Sequence, residues 1–235
     1  MMGQVADDLD TPVTQTATGV VILPRSHPVI RRRLTPDNLR ARIGRSACDQ
    51  CRYCTEYCPR YLLGYAVEPH QVMRTLAFTA SGAELLSRWA ALCCACGLCT
   101  LYACPEELYP KEACGEARAC LRRAGIPWTG STRIRPHPLR EGRRVPIRSL
   151  IRRLHVTEFD RPAPLRDVTL SPARLTLPLR QSAGAPCIPR VRPGQRVHAG
   201  QVIGLPPEGT LGALLHAPVH ATVRTVTDQE IVLEP

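Results

Sequence analysis

Nine of the twelve cysteines lie between Cys48 and Cys104, crowded into two bursts, and nothing else in the chain limits its fold so tightly. The first burst reads CDQCRYCTEYCP over 48–59, so Cys48, Cys51, Cys54 and Cys58 follow C-x2-C-x2-C-x3-C-P. The second reads CCACGLCTLYACP over 93–105, so Cys93, Cys96, Cys99 and Cys104 follow C-x2-C-x2-C-x4-C-P. A secreted disulfide framework spreads its cysteines more evenly. The apolar run GVVIL at 19–23 is far shorter than a bilayer span, and no basic segment precedes a long apolar one. The spacing is therefore read as metal binding in a cytoplasmic chain without a transmembrane segment.

Three cysteines at three-residue intervals wrap a short loop around one corner of an iron–sulfur cube, each thiolate taking a different iron. The fourth iron needs a distant thiolate. In two-cluster ferredoxins the fourth cysteine of each run serves the other cluster, and the proline after it redirects the chain. That pattern assigns Cys48, Cys51, Cys54 and Cys104 to one [4Fe-4S] cluster, and Cys93, Cys96, Cys99 and Cys58 to a second. Zinc held by four cysteines is the alternative, but such sites pair two C-x2-C knuckles across a longer loop, and a third cysteine at the same interval is surplus. Cys94 reads as an apolar thiol beside a cluster, and Cys114, Cys120 and Cys187 as core or surface thiols without a redox role. Tyr57, Tyr61, Trp89 and Tyr102 read as packing residues rather than electron relays.

The sequence between and around the bursts has helical character. Val72, Met73, Leu76 and Ala77, then Leu85, Leu86, Trp89 and Ala90, follow helical spacing, with Ser81-Gly82 between the two runs. Thr35-Pro36 signals a helix start with Gly44 as its stop, and Lys111–Ala124 reads as a helix ended by Gly125. Residues 35–126 are thus expected to form a mainly helical ferredoxin-type dicluster domain. Residues 127–173 read as an Arg/Pro-rich connector containing one amphipathic stretch, RSLIRRLHV, expected to dock as a surface helix. Twelve arginines fall in 121–166 against Glu141, Glu158 and Asp160, and the chain carries a formal charge of +11. Such a charge suits an acidic partner, but aromatics make up only 4% of the chain and no helix-turn-helix, RNA-recognition or zinc-finger pattern occurs, so nucleic acid is set aside.

Beyond residue 173 the pattern changes to β. RLTLPL over 174–179 alternates, and VRPGQRVHAGQVIG and HAPVHATVRTV supply turn glycines between short valine-rich runs. Residues 174–235 resemble the two half-motifs of a biotinyl/lipoyl-type barrel-sandwich hybrid. A swinging-arm carrier needs a lysine on its exposed hairpin, and the only lysine of the chain is Lys111. The domain is therefore expected to be a docking or structural relative of the carriers. His198, His216 and His220 show no metal spacing and read as ordinary histidines. The fold class expected is α+β, a helical dicluster module followed by a small β domain.

CDQCRYCTEYCPRYLLG, EPHQVMR, CCACGLC and ACP, followed by VPIRSLIRRL, DRPAPL and VRPGQRVHAGQVIG, together resemble the C-terminal half of the PduS-type cobalamin reductases of bacterial microcompartments. The RnfC component of the Rnf electron-transport complex is similar, with the same two modules in another order. The resemblance implies an electron-transfer component of an oxidoreductase, passing single electrons through two [4Fe-4S] clusters toward cobalamin. It also implies a microcompartment location, with a corrinoid enzyme or adenosyltransferase as acceptor and a shell protein or enzyme as a further partner. Those relatives carry a flavin- and NADH-binding module and an SLBB-type domain ahead of the clusters. Here no G-x-G-x-x-G occurs, and GVVILP at 19–24 reads as the last strand of such a region, with 1–34 as its remnant. FMN and NADH are accordingly expected on a flavoprotein partner or a missing N-terminal module, the chain being a split gene product or a fragment. An Rnf-like membrane-associated component and a metal-stabilised docking protein are the contrasting expectations.

Overall fold

The computed structural model describes residues 5–6, 8–76, 87–130, 133–167 and 172–235. Two compact units result, one of residues 1–5 and 23–162 and the other of 6–22 and 163–235. The first is helical and the second is built from antiparallel strands, as the sequence pattern requires.

The helical unit opens with α1 (Pro28–Leu34) and α2 (Asp37–Ala47). His27 caps α1, its ring accepting the Val29 N–H, and Pro28 supplies the first helical φ. The expected Thr35–Ile43 helix is displaced: Thr35 closes α1, Pro36 caps α2, and α2 runs through Gly44 to Ala47. Gly44 is buried inside the helix rather than ending it. A Cβ there would lie 3.1 Å from Leu76 Cδ1 and 3.2 Å from Met73 Cε, so this glycine lets α2 press closely against those side chains. Single helical turns follow at α3 (Tyr53–Glu56) and α4 (Pro59–Leu62), then α5 (Pro69–Thr75). The helical run expected around Leu85 and Leu86 lies outside the described residues; Trp89 and Ala90 sit in a 3-10 turn, Arg88–Ala90.

The longest helix is α6 (Pro110–Arg123), and Gly125 follows it at φ 65° in the left-handed conformation expected of a residue just past a helix end. α7 (Ile147–Arg153) is the amphipathic stretch, with Leu154 buried just beyond it and Arg148, Arg152 and Arg153 exposed. Val72, Ala90, Cys114 and Ala117 form one small apolar cluster, while Met73, Cys104 and Leu108 form another. Residues 19–24, read as the last strand of a preceding module, pair with no strand among the described residues and leave Val20, Val21 and Ile22 exposed.

The β unit holds β1 (Leu175–Pro178), β2 (Ile188–Pro189), β3 (Arg196–Val197), β4 (Val202–Leu205), β5 (Leu215–His216), β6 (Ala221–Val226) and β7 (Glu230–Glu234). They form two antiparallel sheets, ordered β1-β7-β6-β3 and β2-β4-β5. Alternate residues face inward, so Val197, Ile203, Leu215, Val223, Ile231 and Leu233 share one core with Cys187. His198 and His220 follow and precede the Val197–Ala221 pair, which brings their Nδ1 atoms to 3.3 Å on the exposed face. Ile231 is fully buried, so Ile231→Ala should cost about 2–5 kcal/mol of stability, read as a lower denaturation midpoint of the β unit.

Candidate iron–sulfur site

The two cysteine motifs adopt one backbone design. Gln50 (φ 59°) and Arg52 (φ 69°) are left-handed in the first loop, and Ala95 (φ 55°) and Gly97 (φ 83°) are left-handed at the same places in the second. Only one of these four is glycine, so the other three hold a costly conformation that the loop's shape imposes. Each third cysteine then enters a turn of helix, Cys54 in α3 and Cys99 in the π-helical turn Cys99–Ala103. The π turn absorbs the extra residue of the second motif. Cys58 (φ −72°, ψ 118°) and Cys104 (φ −75°, ψ 116°) consequently finish in the same extended conformation, each followed by proline.

The likeness continues one layer out. Thr55 and Thr100, each directly after the third cysteine, are buried. Thr55 Oγ1 accepts the His70 N–H at 3.1 Å in the first turn of α5, and Thr100 Oγ1 accepts the Lys111 N–H at 2.8 Å in the first turn of α6. Both helices begin with proline, Pro69 and Pro110. Thr55 also bonds His70 Nδ1 at 2.8 Å, whereas Thr100 donates to Glu112 Oε2 at 2.9 Å. Each threonine thus fastens its cysteine loop to a helix N-terminus whose N–H groups lack partners within the helix. Sequence spacing alone does not single out these anchors, although a threonine after the third cysteine in both bursts is a visible signal.

The thiols gather in two sets. Cys48, Cys51, Cys54 and Cys104 line one cavity together with His70, Met73 and Leu108. Burial pushes the Cys54 thiol up to about 12, and the neighbouring charges of Cys104, Cys51 and Cys48 add to that rise. Burial likewise raises Cys104, which also feels Cys51 and Cys48, while the N–H groups of Leu108 and Glu106 pull it back. In the second set burial pushes Cys58 up to about 11 against the N–H groups of Tyr61 and Arg60, and Cys96 and Cys93 raise it further. Cys99 is raised well above the usual thiol range, first by burial and then by Cys54, Cys58, Cys93 and Cys96. Cys104 therefore stands with the first motif's three leading cysteines, and Cys58 with the second's.

Among the described residues, no group of three or more histidines, cysteines, aspartates or glutamates converges tightly enough to hold one metal ion. The first set instead presents four sulfurs around one cavity, a donor set suited to a thiolate-bound cube, and Cys58, Cys93, Cys96 and Cys99 lie near enough to influence one another's charge. Donors already point at the sulfurs: Gln50 Nε2 to Cys48 at 3.3 Å, Leu108 N to Cys104 at 3.3 Å and Ala95 N to Cys93 at 3.4 Å. The four sulfurs of the first cavity thus fit a [4Fe-4S] cluster, and the second motif repeats the same donor type.

Cys93 departs from the rest. A hydrogen bond from the Cys114 thiol, the Ala95 N–H and the charges of Arg118 and Lys111 outweigh burial and hold it down at about 6. Cys114 is a core thiol, with no exposure of its own, in the apolar cluster against which Cys93 packs. Tyr57 and Tyr102, equally placed in the two motifs, meet edge to face at 5.5 Å. Arg143 donates to Tyr57 Oη and Glu56 and lies over the Tyr57 ring at 5.1 Å. Tyr53, Tyr57, Tyr102, Arg143, Arg152 and Arg153 line an open basic groove of about 690 Å³ beside both motifs.

Two measurements check this geometry. Thr55→Val or Thr100→Val leaves a buried N–H unpaired and should cost about 1–3 kcal/mol, seen as a lower unfolding midpoint of the helical unit. In the metal-free chain at pH 7, Cys93 should be alkylated well before Cys54 and Cys58, with mass spectrometry locating the label. Because its thiol titrates near 6, that advantage should fade as the pH falls through 6, whereas Cys54 and Cys58 should ionise only in strong alkali.

Two domain families and several curated relatives match the chain. A 4Fe-4S dicluster domain family matches residues 47–109, and the RnfC barrel sandwich hybrid domain family matches residues 154–234. The cobalamin reductase PduS of Salmonella typhimurium is 34% identical over 234 residues, and that of Citrobacter freundii 33%; each match covers 99% of this chain and 51% of the relative. The chain thus spans about half the length of these curated relatives. A component of the ion-translocating oxidoreductase complex of Pseudomonas aeruginosa is 52% identical over 50 residues, 21% of this chain and 6% of that protein. The helical dicluster region followed by an antiparallel barrel-sandwich domain makes this chain a PduS/RnfC-like iron–sulfur protein.

Proposed function

We propose that the chain holds two [4Fe-4S] clusters and passes single electrons through them from a flavin- and NADH-oxidising partner to an acceptor, cobalamin being the acceptor that the PduS relatives suggest. The observation that carries this reading is the exchange of Cys58 and Cys104 between the two thiol sets. Cys48, Cys51, Cys54 and Cys104 would hold the first cluster, and Cys93, Cys96, Cys99 and Cys58 the second. When bound, such a cluster takes up and returns one electron at a time, with a potential anywhere from about −700 to +450 mV. The chain's own part is to supply thiolates, to give up their protons as iron binds, and to direct N–H groups at the sulfurs.

The basic groove offers Arg152 and Arg153 to an anionic partner close to both motifs. By analogy with the relatives, the acceptor would be a corrinoid protein inside a bacterial microcompartment. The similarity to the ion-translocating complex favours a second reading, in which the chain serves a membrane-associated electron-transport assembly. No helix among the described residues is long and apolar enough to cross a membrane, so the described part of the chain would meet such an assembly through its surface.

Anaerobic purification followed by iron and sulfide analysis and EPR of the reduced protein should give about eight irons per chain and two interacting cluster signals. Cys58→Ser should lower the iron toward about four. Adding Cys96→Ser should then remove no more, while adding Cys51→Ser should remove the rest; the opposite pattern sinks the exchanged assignment. Reduced protein should transfer electrons to oxidised cobalamin in a stopped-flow assay. A redox-silent protein with stoichiometric zinc would leave only the docking role.

A further inference from the structure

Cys58 and Cys104 are buried, yet the residues on either side of each reach open surface within the helical unit. Ala103 and Pro105, flanking Cys104, line the basic groove described above. Tyr57 and Pro59, flanking Cys58, line a second open groove of about 510 Å³. Tyr57 and Arg143 belong to the walls of both grooves, so the two adjoin. Whatever covers this face stands next to Cys58 and Cys104 at once.

The grooves differ in chemistry. The second is mostly apolar, walled by Leu62, Leu63, Leu98, Val145, Ile147 and Leu150. Ile147 is 73% exposed and Leu63 40%, and an exposed apolar patch rimmed by polar residues marks an interaction site. The rim is arginine: Arg140, Arg143 and Arg144 line this groove, Arg143, Arg152 and Arg153 line the first, and no carboxylate lines either among the described residues. Arg140 and Arg144 share Glu141, and Arg143 is held by Glu56. Arg153 reaches Glu107 only at 3.6 Å, a carboxylate that Arg32 also approaches, and Arg152 meets none among the described residues. The face thus keeps unneutralised positive charge beside an apolar hollow.

A small ligand is held by burying most of its surface in one pocket. Two open grooves side by side suit instead a convex protein surface, with an apolar side chain at its centre and carboxylates around it. We propose that this double groove is the docking face for an acidic electron-carrier protein, which seats an apolar side chain in the groove of Leu63 and Ile147 and sets carboxylates against Arg152 and Arg153. This rests on the electron-transfer reading above and names the kind of partner that reading requires. Docking here brings the carrier beside the closing cysteine of each sulfur set.

The test measures binding rather than turnover. The cluster-loaded chain, with iron counted in every sample, is titrated anaerobically with a flavodoxin, a small acidic flavoprotein, by calorimetry at several salt concentrations. One-to-one binding that weakens as salt rises is expected. Arg152→Glu should weaken it about tenfold and flatten the salt dependence, and Ile147→Ser should weaken it about fivefold with the salt dependence unchanged. Arg122→Glu with Arg123→Glu, a larger charge change at the exposed end of α6, should alter affinity less than about twofold. No flavodoxin binding, binding indifferent to salt, full affinity in Ile147→Ser, or a loss in the α6 variant equal to that in Arg152→Glu overturns the proposal. Binding of free FMN in place of flavodoxin, lost in Arg152→Glu, would mark a small phosphate ligand and overturn it too. Fewer than about eight irons, with the flavodoxin results as expected, would overturn the two-cluster reading and leave the docking face standing.

Discussion

A thiol that must bind metal as an anion cannot be buried cheaply, because removing charge from water opposes ionisation. Cys54, Cys58 and Cys99 are all buried, and burial is the largest influence on each. The helical unit offsets part of this cost with hydrogen-bond donors, Thr55 at Cys54 and the N–H groups of Arg60 and Tyr61 at Cys58. Left-handed loop residues turn N–H groups toward sulfur, the segments after Cys58 and Cys104 do the same, and two threonines hold the loops against helix starts. Without metal, the buried sulfurs keep their protons or repel one another. With it, their charge is neutralised where it sits, so metal binding and the packing of this unit are one equilibrium.

The internal likeness of the two sites also explains how so small a unit holds together. Its apolar clusters are small, formed by a few residues around Val72 and Cys114 and around Met73 and Leu108. Gly44 brings α2 against Met73 and Leu76 at close range. Arg32 reaches the carbonyls of Thr100 and Leu108 at 3.1 Å, and Arg153 reaches that of Cys104 at 3.3 Å, so arginines replace missing apolar bulk by closing carbonyls near the second motif.

Cysteine spacing made the clusters legible, and alternation with turn glycines made the β unit legible, because both depend on local order along the chain. Other features depend on which residues meet across it. Gly44 looked like a helix stop because helices often end at glycine, yet a close approach by Met73 and Leu76 gave it a different use. Cys114 could be read only as core or surface because the residues it packs among lie in other segments, and His198 and His220 became neighbours only through the β3–β6 pairing. GVVILP at 19–24 has the composition of a strand, but composition names no partner for its backbone, and none stands among the described residues.

The placement of Cys58 among the second motif's sulfurs and of Cys104 among the first's bears on how the protein is made. A chain leaving the ribosome exposes seven of the eight sulfurs before Cys104 appears, yet the first set stays incomplete until then and the second set is closed by a residue from the earlier motif. The second set is complete once Cys99 has been made, the first only when Cys104 follows. A chain that stops short of Cys104 thus lacks the fourth sulfur of the earlier set while keeping all four of the later one.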